Sequence, residues 1–204
     1  MSADRRPRPM AGKDTSPKGE EFRDGMPFIG GRLWIDLLNT TPLDAAQRPI
    51  DLIGTPEGFA AWIAAAGLEL SAKADSEDAL RDLRRTLRSE FELLRAGVPV
   101  SDATIADINA LLRSVHVSLS LTRSQEGVKV VEMIAADPVG YVAEDFSRFA
   151  CDFEPARLKH CSSPTCSMVF YDAGKNNTRR WCTMSICGNR DKVARFRSRK
   201  AANG

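Results

Sequence analysis

The spacing of hydrophobic positions changes several times along the chain, and each change marks an element. In TPEGFAAWIAAAG (55–67), Phe59, Trp62, Ile63 and Ala66 recur at three- and four-residue steps, which predicts a short helix with that face inward. Thr55 suits its N-cap, Pro56 its first turn and Gly67 its stop. The strongest helical stripe is Leu80, Leu83, Leu87, Phe91 and Leu94 within 76–97, opened by Ser76 as the cap and closed by Gly97. A further helix over 101–114 starts at Ser101 and turns Ile105, Ile108, Leu111 and Leu112 inward. The period then drops to two. HVSLSLT (116–122) and GVKVVEMIA (127–135) alternate apolar and polar around a short polar link, the pattern of a β-hairpin. Helical spacing returns over 137–151, with Val142, Phe146 and Phe149 inward.

GGRLWIDLLNTTP (30–42) reads as a strand, with Leu33, Ile35 and Leu37 on one face and Trp34, Asp36 and Leu38 on the other. Asp36 is then a lone charge in an apolar strand, and a bond to backbone at the strand end accounts for it better than a ligand does. His116 reads as a structural histidine and Cys151 as a buried spare thiol. Residues 1–25 are rich in Pro, Gly and charge and lack the apolar segment of a signal peptide, so a disordered leader is expected. No run of 18 apolar residues predicts a transmembrane helix, and a reducing, cytoplasmic home follows.

Apolar residues make up 43% of the 204, enough for a sizeable core. The net charge of +2 hides a strong asymmetry. Between Arg157 and Lys200 eleven Lys/Arg face two acids, Asp172 and Asp191, while the remainder holds 18 basic and 25 acidic residues. An acidic body with a basic tail points to a polyanionic partner for the tail. The body carries no G-x-G-x-x-G and no G-x-S-x-G, and the chain has two histidines. No nucleophile or acid–base constellation appears, so the chain does not read as an enzyme.

Four of the five cysteines form two pairs, CSSPTC and CTMSIC, in the pattern C-x4-C-x15-C-x4-C. In a reducing compartment such pairs suit zinc, with Cys161, Cys166, Cys182 and Cys187 as four thiolate ligands. The alternatives are two disulfides or a redox dithiol, for which a gap of four residues is wide. The insert predicts a strand over 168–171, a turn, and a second strand over 178–181. The second pair then leads into a helix from about Ser185, with Met184, Val193 and Phe196 inward. Knuckle, hairpin and helix around one Zn²⁺ would form a treble-clef finger. Its small apolar content makes it depend on the metal to fold. Four thiolates leave no open position for hydrolytic chemistry and leave excess negative charge, which Arg190 and the first amides of the helix can offset. The remaining cations, Arg179, Arg180, Lys192, Arg195, Arg197 and Arg199, form an array suited to nucleic-acid phosphates. The bland alternative is a solvated helix face.

The motif Cys187-Gly188-Asn189-Arg190, preceded by Trp181-Cys182 and by Cys161-Ser162-Ser163-Pro164-Thr165-Cys166, resembles the CGNR zinc finger. Phe170-Tyr171-Asp172 and Asn177 to Arg180 fit the same family. Gly30 to Thr40 resembles the opening of the ABATE domain that precedes this finger. The resemblance implies a bacterial, stress-related transcriptional regulator of α+β class. With the residue patterns, the expected divisions are a leader (1–25), which departs from the family's pattern, a mostly helical α/β domain with a small sheet (26–155) and a zinc finger with a basic C-terminal helix (156–204). The resemblance also implies the four zinc ligands already named, but no DNA-contacting residues.

The expected function is therefore zinc-dependent binding of nucleic acid, double-stranded DNA first, with the body as a sensor or as the dimerisation unit of a homodimer. An RNA- or ribosome-associated protein is the alternative, and a protein-interaction module a further one. Tyr171, Trp181 and Phe196 read as internal, which disfavours base stacking on single strands.

Overall fold

The computed structural model describes residues 21–68, 76–125 and 127–202. The expected leader lies outside these residues up to position 20. Residues 21–25 fall inside them, where β1 (Phe22–Arg23) pairs antiparallel with β2 (Met26–Pro27). The helices are α1 (Leu33–Leu38), α2 (Pro56–Ala65), α3 (Ser76–Arg95), α4 (Asp102–Leu112), α5 (Pro138–Cys151) and α6 (Asn189–Ala202). Two further antiparallel pairs complete the α+β fold: β3 (His116–Ser124) with β4 (Gly127–Ala135), and β5 (Leu158–His160) with β6 (Val169–Tyr171).

Helix starts follow local chemistry. Thr55, Ser101 and Asp137 each accept the backbone N–H three residues on, from Gly58, Thr104 and Gly140. Gly67 and Gly97 take the left-handed conformation just past α2 and α3, at φ +70° and +78°. Ser76, expected as a cap, is instead the first helical residue of α3.

The expected strand over 30–42 is a helix. Trp34, Ile35, Asp36, Leu37 and Leu38 are all buried, so α1 presents no polar side from which a period could be read. It lies against α3 and α5. Trp34 meets Phe91, Phe146 and Phe149 with ring centroids 6.0, 5.3 and 5.1 Å apart. The polar ends of α1 are satisfied from elsewhere. The Trp34 N–H donates to Asp145 at 3.0 Å, and Arg32 pairs with the same carboxylate at 2.7 Å. At the other end, Thr40 and Thr41 donate to the carbonyls of Leu37 and Leu38. Asp36 does bond backbone, accepting the Gly30 N–H at 2.7 Å. A side chain at Gly30 would come within 2.6 Å of Ile35 and 2.9 Å of the Asp36 carboxylate, so only glycine fits.

Three other expectations change. Ile105 is exposed rather than inward, because α4 meets the core through Ile108, with Leu111 and Leu112 half-buried. The β3–β4 hairpin forms in full, but Val117, Leu119, Leu121, Val128 and Val130 stand out from the body, so its alternation marks no buried face. Cys151 and His116 are likewise exposed.

Finger and body share one core. Leu158 and Val169 belong to the main cluster, and Ile29 of the body packs among the cysteines. The Asn39 side chain clasps Val169, donating to its carbonyl and accepting its N–H, both at 2.9 Å. The Tyr171 N–H donates to the Gly30 carbonyl at 2.9 Å.

Burial raises the Asp36 carboxyl well above the ordinary carboxylate range, with nearby Asp145 adding to the effect. A carboxyl raised on folding stabilises the fold when protonated, and that stability is lost as pH rises through its folded value. Asp36→Asn keeps an acceptor for Gly30 without the charge. Urea unfolding at pH 8 should find the variant more stable than the parent, with the difference shrinking toward pH 5. A difference independent of pH would refute the assignment.

Candidate metal centre and basic helix

The first cysteine pair sits on a knuckle between β5 and β6. The Cys161 N–H donates to the Met168 carbonyl at 2.9 Å, and the Cys166 N–H to the Ser163 carbonyl at 3.1 Å. The second pair lies where the chain enters α6. Cys182 precedes Thr183, whose hydroxyl accepts the Ser185 N–H, and Cys187 lies in a π-helical turn, Met184–Gly188. Turn and knuckle bring four thiols within 4.8 Å of one another. Cys161, Cys182 and Cys187 are buried and Cys166 is half-buried.

The spacing fits a tetrahedral metal. Zn–S bonds of about 2.3 Å imply tetrahedron edges of roughly 3.8 Å. Sγ of Cys182 lies 3.7 Å from that of Cys166 and 3.6 Å from that of Cys187. A disulfide would need about 2.05 Å. Backbone amides of Cys182 and Ser163 point at Cys161 Sγ, and that of Met168 at Cys166, as supports of thiolate ligands do. Without metal the thiols share protons. Hydrogen bonds from Cys166 and Cys182 draw the Cys161 thiol far below its usual value, while the same sharing pushes Cys166 up to about 12.

Arg179, expected at a phosphate, is half-buried beneath the centre. Its guanidinium donates to the carbonyls of Ile29 at 2.8 Å, of Trp181 at 3.1 Å and of Cys182, and it lies 4.2 Å from the Phe170 ring centroid. Lys159 is similarly engaged, donating to Asp172 at 2.8 Å and to the carbonyls of Asn177 and Arg179. Burial alone would raise the Asp172 carboxyl, but Lys159 and the N–H groups of Arg179 and Gly174 outweigh it and hold it below its usual value. These bonds fix residues 172–179 without a second strand; the partner of β6 is β5, which precedes the knuckle. Asp172 and Lys159 thus support the site, and sequence reasoning passed over both. Phe-Tyr-Asp in the matched motif was the signal available.

Arg190 donates to Thr165 Oγ1 at 2.9 Å, tying α6 to the knuckle rather than to a sulfur. Beyond it, Lys192 to Lys200 are all exposed. Arg195 pairs with Asp191 at 2.8 Å; Lys192, Arg197 and Arg199 have no carboxylate partner among the described residues. Arg180 is exposed, its guanidinium 4.9 Å from the Trp181 ring centroid. Met184, Val193 and Phe196, expected inward, are exposed too, because α6 meets the rest of the fold mainly at its root.

Cysteine pairs on a knuckle and a helix entrance define a zinc finger. Residues 157–200 match the CGNR zinc finger family, and residues 31–152 match the ABATE family, described as "Putative stress-induced transcription regulator". The chain belongs to the ABATE family and ends in a CGNR finger, and its metal is zinc. No curated protein matches the chain. Neither family description names an enzyme, and no helix among the described residues is long and apolar enough to cross a membrane.

Two outcomes follow from the geometry. Zinc must displace thiol protons, so its affinity should fall as pH drops. Competition against a chromogenic chelator from pH 7.5 to 5.5 should show zinc passing to the chelator on acidification, and a flat profile would exclude thiol coordination. Cys182→Ser should lose the metal and, because β6 belongs to the common core, lower a single melting transition of the whole chain. Two transitions, with the earlier helices melting unchanged, would show an independent finger.

Proposed function

We propose that this protein is a zinc-ordered regulator of transcription that binds double-stranded DNA through α6. Cys161, Cys166, Cys182 and Cys187 are the ligands of one Zn²⁺, a structural ion whose closed thiolate shell supplies stability rather than a reaction. The observation that carries the reading is α6 itself. It leaves the cysteine-bearing turn as an exposed helix whose cations outnumber its acids six to one across 189–200. Metal binding would fix the root of that helix, and so the direction in which its charge is held.

Lys192, Arg195, Arg197 and Arg199 are the phosphate contacts, with Arg180 beside them. Arg179 is left out because its guanidinium is bonded internally. Arg190 positions the helix on the knuckle. Duplex DNA is favoured over RNA on shape. The major groove of an RNA helix is too narrow for an α-helix, and single-strand binders stack successive bases on several exposed aromatics. Here Phe196 is the exposed aromatic of α6, while Tyr171 and Trp181 are half-buried. The helical body suits a sensing or dimerising part, in a cytoplasmic protein.

Anisotropy titrations of the zinc-loaded chain across a salt series test this reading. Affinity for duplex DNA should fall steeply with salt. Arg197→Ala with Arg199→Ala should flatten the log–log slope by roughly 1.8, about 0.9 per lost phosphate contact, with zinc retained. An unchanged slope and affinity would mean a solvated helix face.

A further inference from the structure

Charge does not account for the whole surface of α6. Val193 and Phe196 stand 48% and 63% exposed, one turn apart on the same side of the helix. At about 100° per residue, Asn189, Val193, Phe196 and Lys200 fall within one narrow stripe. Arg190 and Arg197 run along one margin of that stripe, and Lys192, Arg195 and Arg199 along the other. Asp191 lies on the opposite side of the helix, paired with Arg195. The result is a ridge whose middle, Val193 and Phe196, is apolar, with Asn189 and Lys200 at its ends and basic side chains on both margins.

That cross-section matches one kind of surface. The major groove of B-DNA is about 12 Å wide and admits a helix of about 10–12 Å diameter. Phosphates wall it on both sides, and the thymine C5 methyl is the apolar group on its floor. A helix recognising phosphate alone gains nothing from a phenyl ring in water at the centre of its charged face. Packing against another protein would bring both basic rows toward that partner's surface, at a desolvation cost that a groove lined with phosphates offsets.

Building on the DNA-binding reading above, we infer that α6 lies in the major groove with Phe196 and Val193 against thymine methyl groups, so that the protein prefers thymine-containing sites. Arg197 on one margin and Lys192, Arg195 and Arg199 on the other meet the two phosphate walls, while Arg190, bonded to Thr165, holds the root of the helix in register. Asn189, whose side-chain amide is anchored to the Ser185 carbonyl at 2.9 Å, begins the ridge where the helix leaves the cysteine-bearing turn.

The zinc-loaded full chain can be titrated by anisotropy with three duplexes of equal length: alternating A·T, the same duplex with deoxyuridine for thymidine, and alternating G·C. Deoxyuridine differs from thymidine in that duplex only by the missing methyl. Binding should weaken by about four-fold for each methyl that the side chains bury. The double variant Phe196→Ala, Val193→Ala should bind both A·T-type duplexes equally, with zinc content and salt slope unchanged. Both side chains are exposed, so the fold should tolerate the change. Equal binding of thymidine and deoxyuridine duplexes by the parent chain, with steep salt dependence intact, would overturn this inference and leave the DNA-binding reading standing. A thymidine preference that survives the double variant would also overturn it. A single-stranded RNA of the same length is titrated alongside, and tighter binding to it, lost with Phe196→Ala, would replace the inference with base stacking. Absence of binding to every probe would remove both readings.

Discussion

A helix buried on every side has to find partners for its polar ends inside the protein, because unpaired backbone groups in a core each cost about 1–3 kcal/mol. For α1 the local hydroxyls of Thr40 and Thr41 are joined by partners from elements distant in sequence. Asp145 of α5 accepts the Trp34 amide, and Arg88 of α3 donates to the Leu38 carbonyl. Asn39, at the last turn, reaches β6. The aromatic side chains on α3 and α5 then close around Trp34. The body is thereby organised around six residues, and Asn39, which ends them, is one of the ties that join the finger to it, with Gly30 and Ile29.

The same accounting explains how the cations are distributed. A guanidinium under the sulfur cluster is stabilised where it can be, by backbone carbonyls and the face of Phe170. A lysine beside it pairs with a buried aspartate. Internal demand therefore takes up Arg179 and Lys159 and fastens Arg190 to the knuckle. The cations beyond Arg190 meet water, and they point away from the fold along an axis set at the turn that carries Cys187.

Much of this was legible in the sequence. Where an element has one wet face, as in α2, α3 and α5, spacing and capping residues located it closely. The cysteine spacing and the CGNR motif located the four thiols that the fold brings together. The errors have physical causes. LWIDLL has no wet face, so alternation and helical periodicity could not be told apart. The hairpin alternates without burying its apolar rows, and nothing in a pattern of side chains says whether a partner surface exists. Strand pairing in the finger depends on Leu158–His160, too short a run to register. Arginines look alike in a sequence, and only the fold separates Arg179, held by carbonyls, from Arg197, exposed and without a carboxylate partner among the described residues. An aromatic in a helix suggests an inward face, but among the described residues α6 meets the fold mainly at its root, and Phe196 lies in solvent.

One contact at the start of the described chain bears on how the protein can be handled. The Glu21 carboxylate accepts hydrogen bonds from Thr183 and, at 3.1 Å, from Ser185, at the foot of α6. Glu21 thus lies beside the turn from which the basic helix departs. An affinity tag or fluorescent fusion joined just ahead of this residue would be delivered to the same side of the molecule as the sulfur cluster. There it would crowd a long polymer lying along the helix.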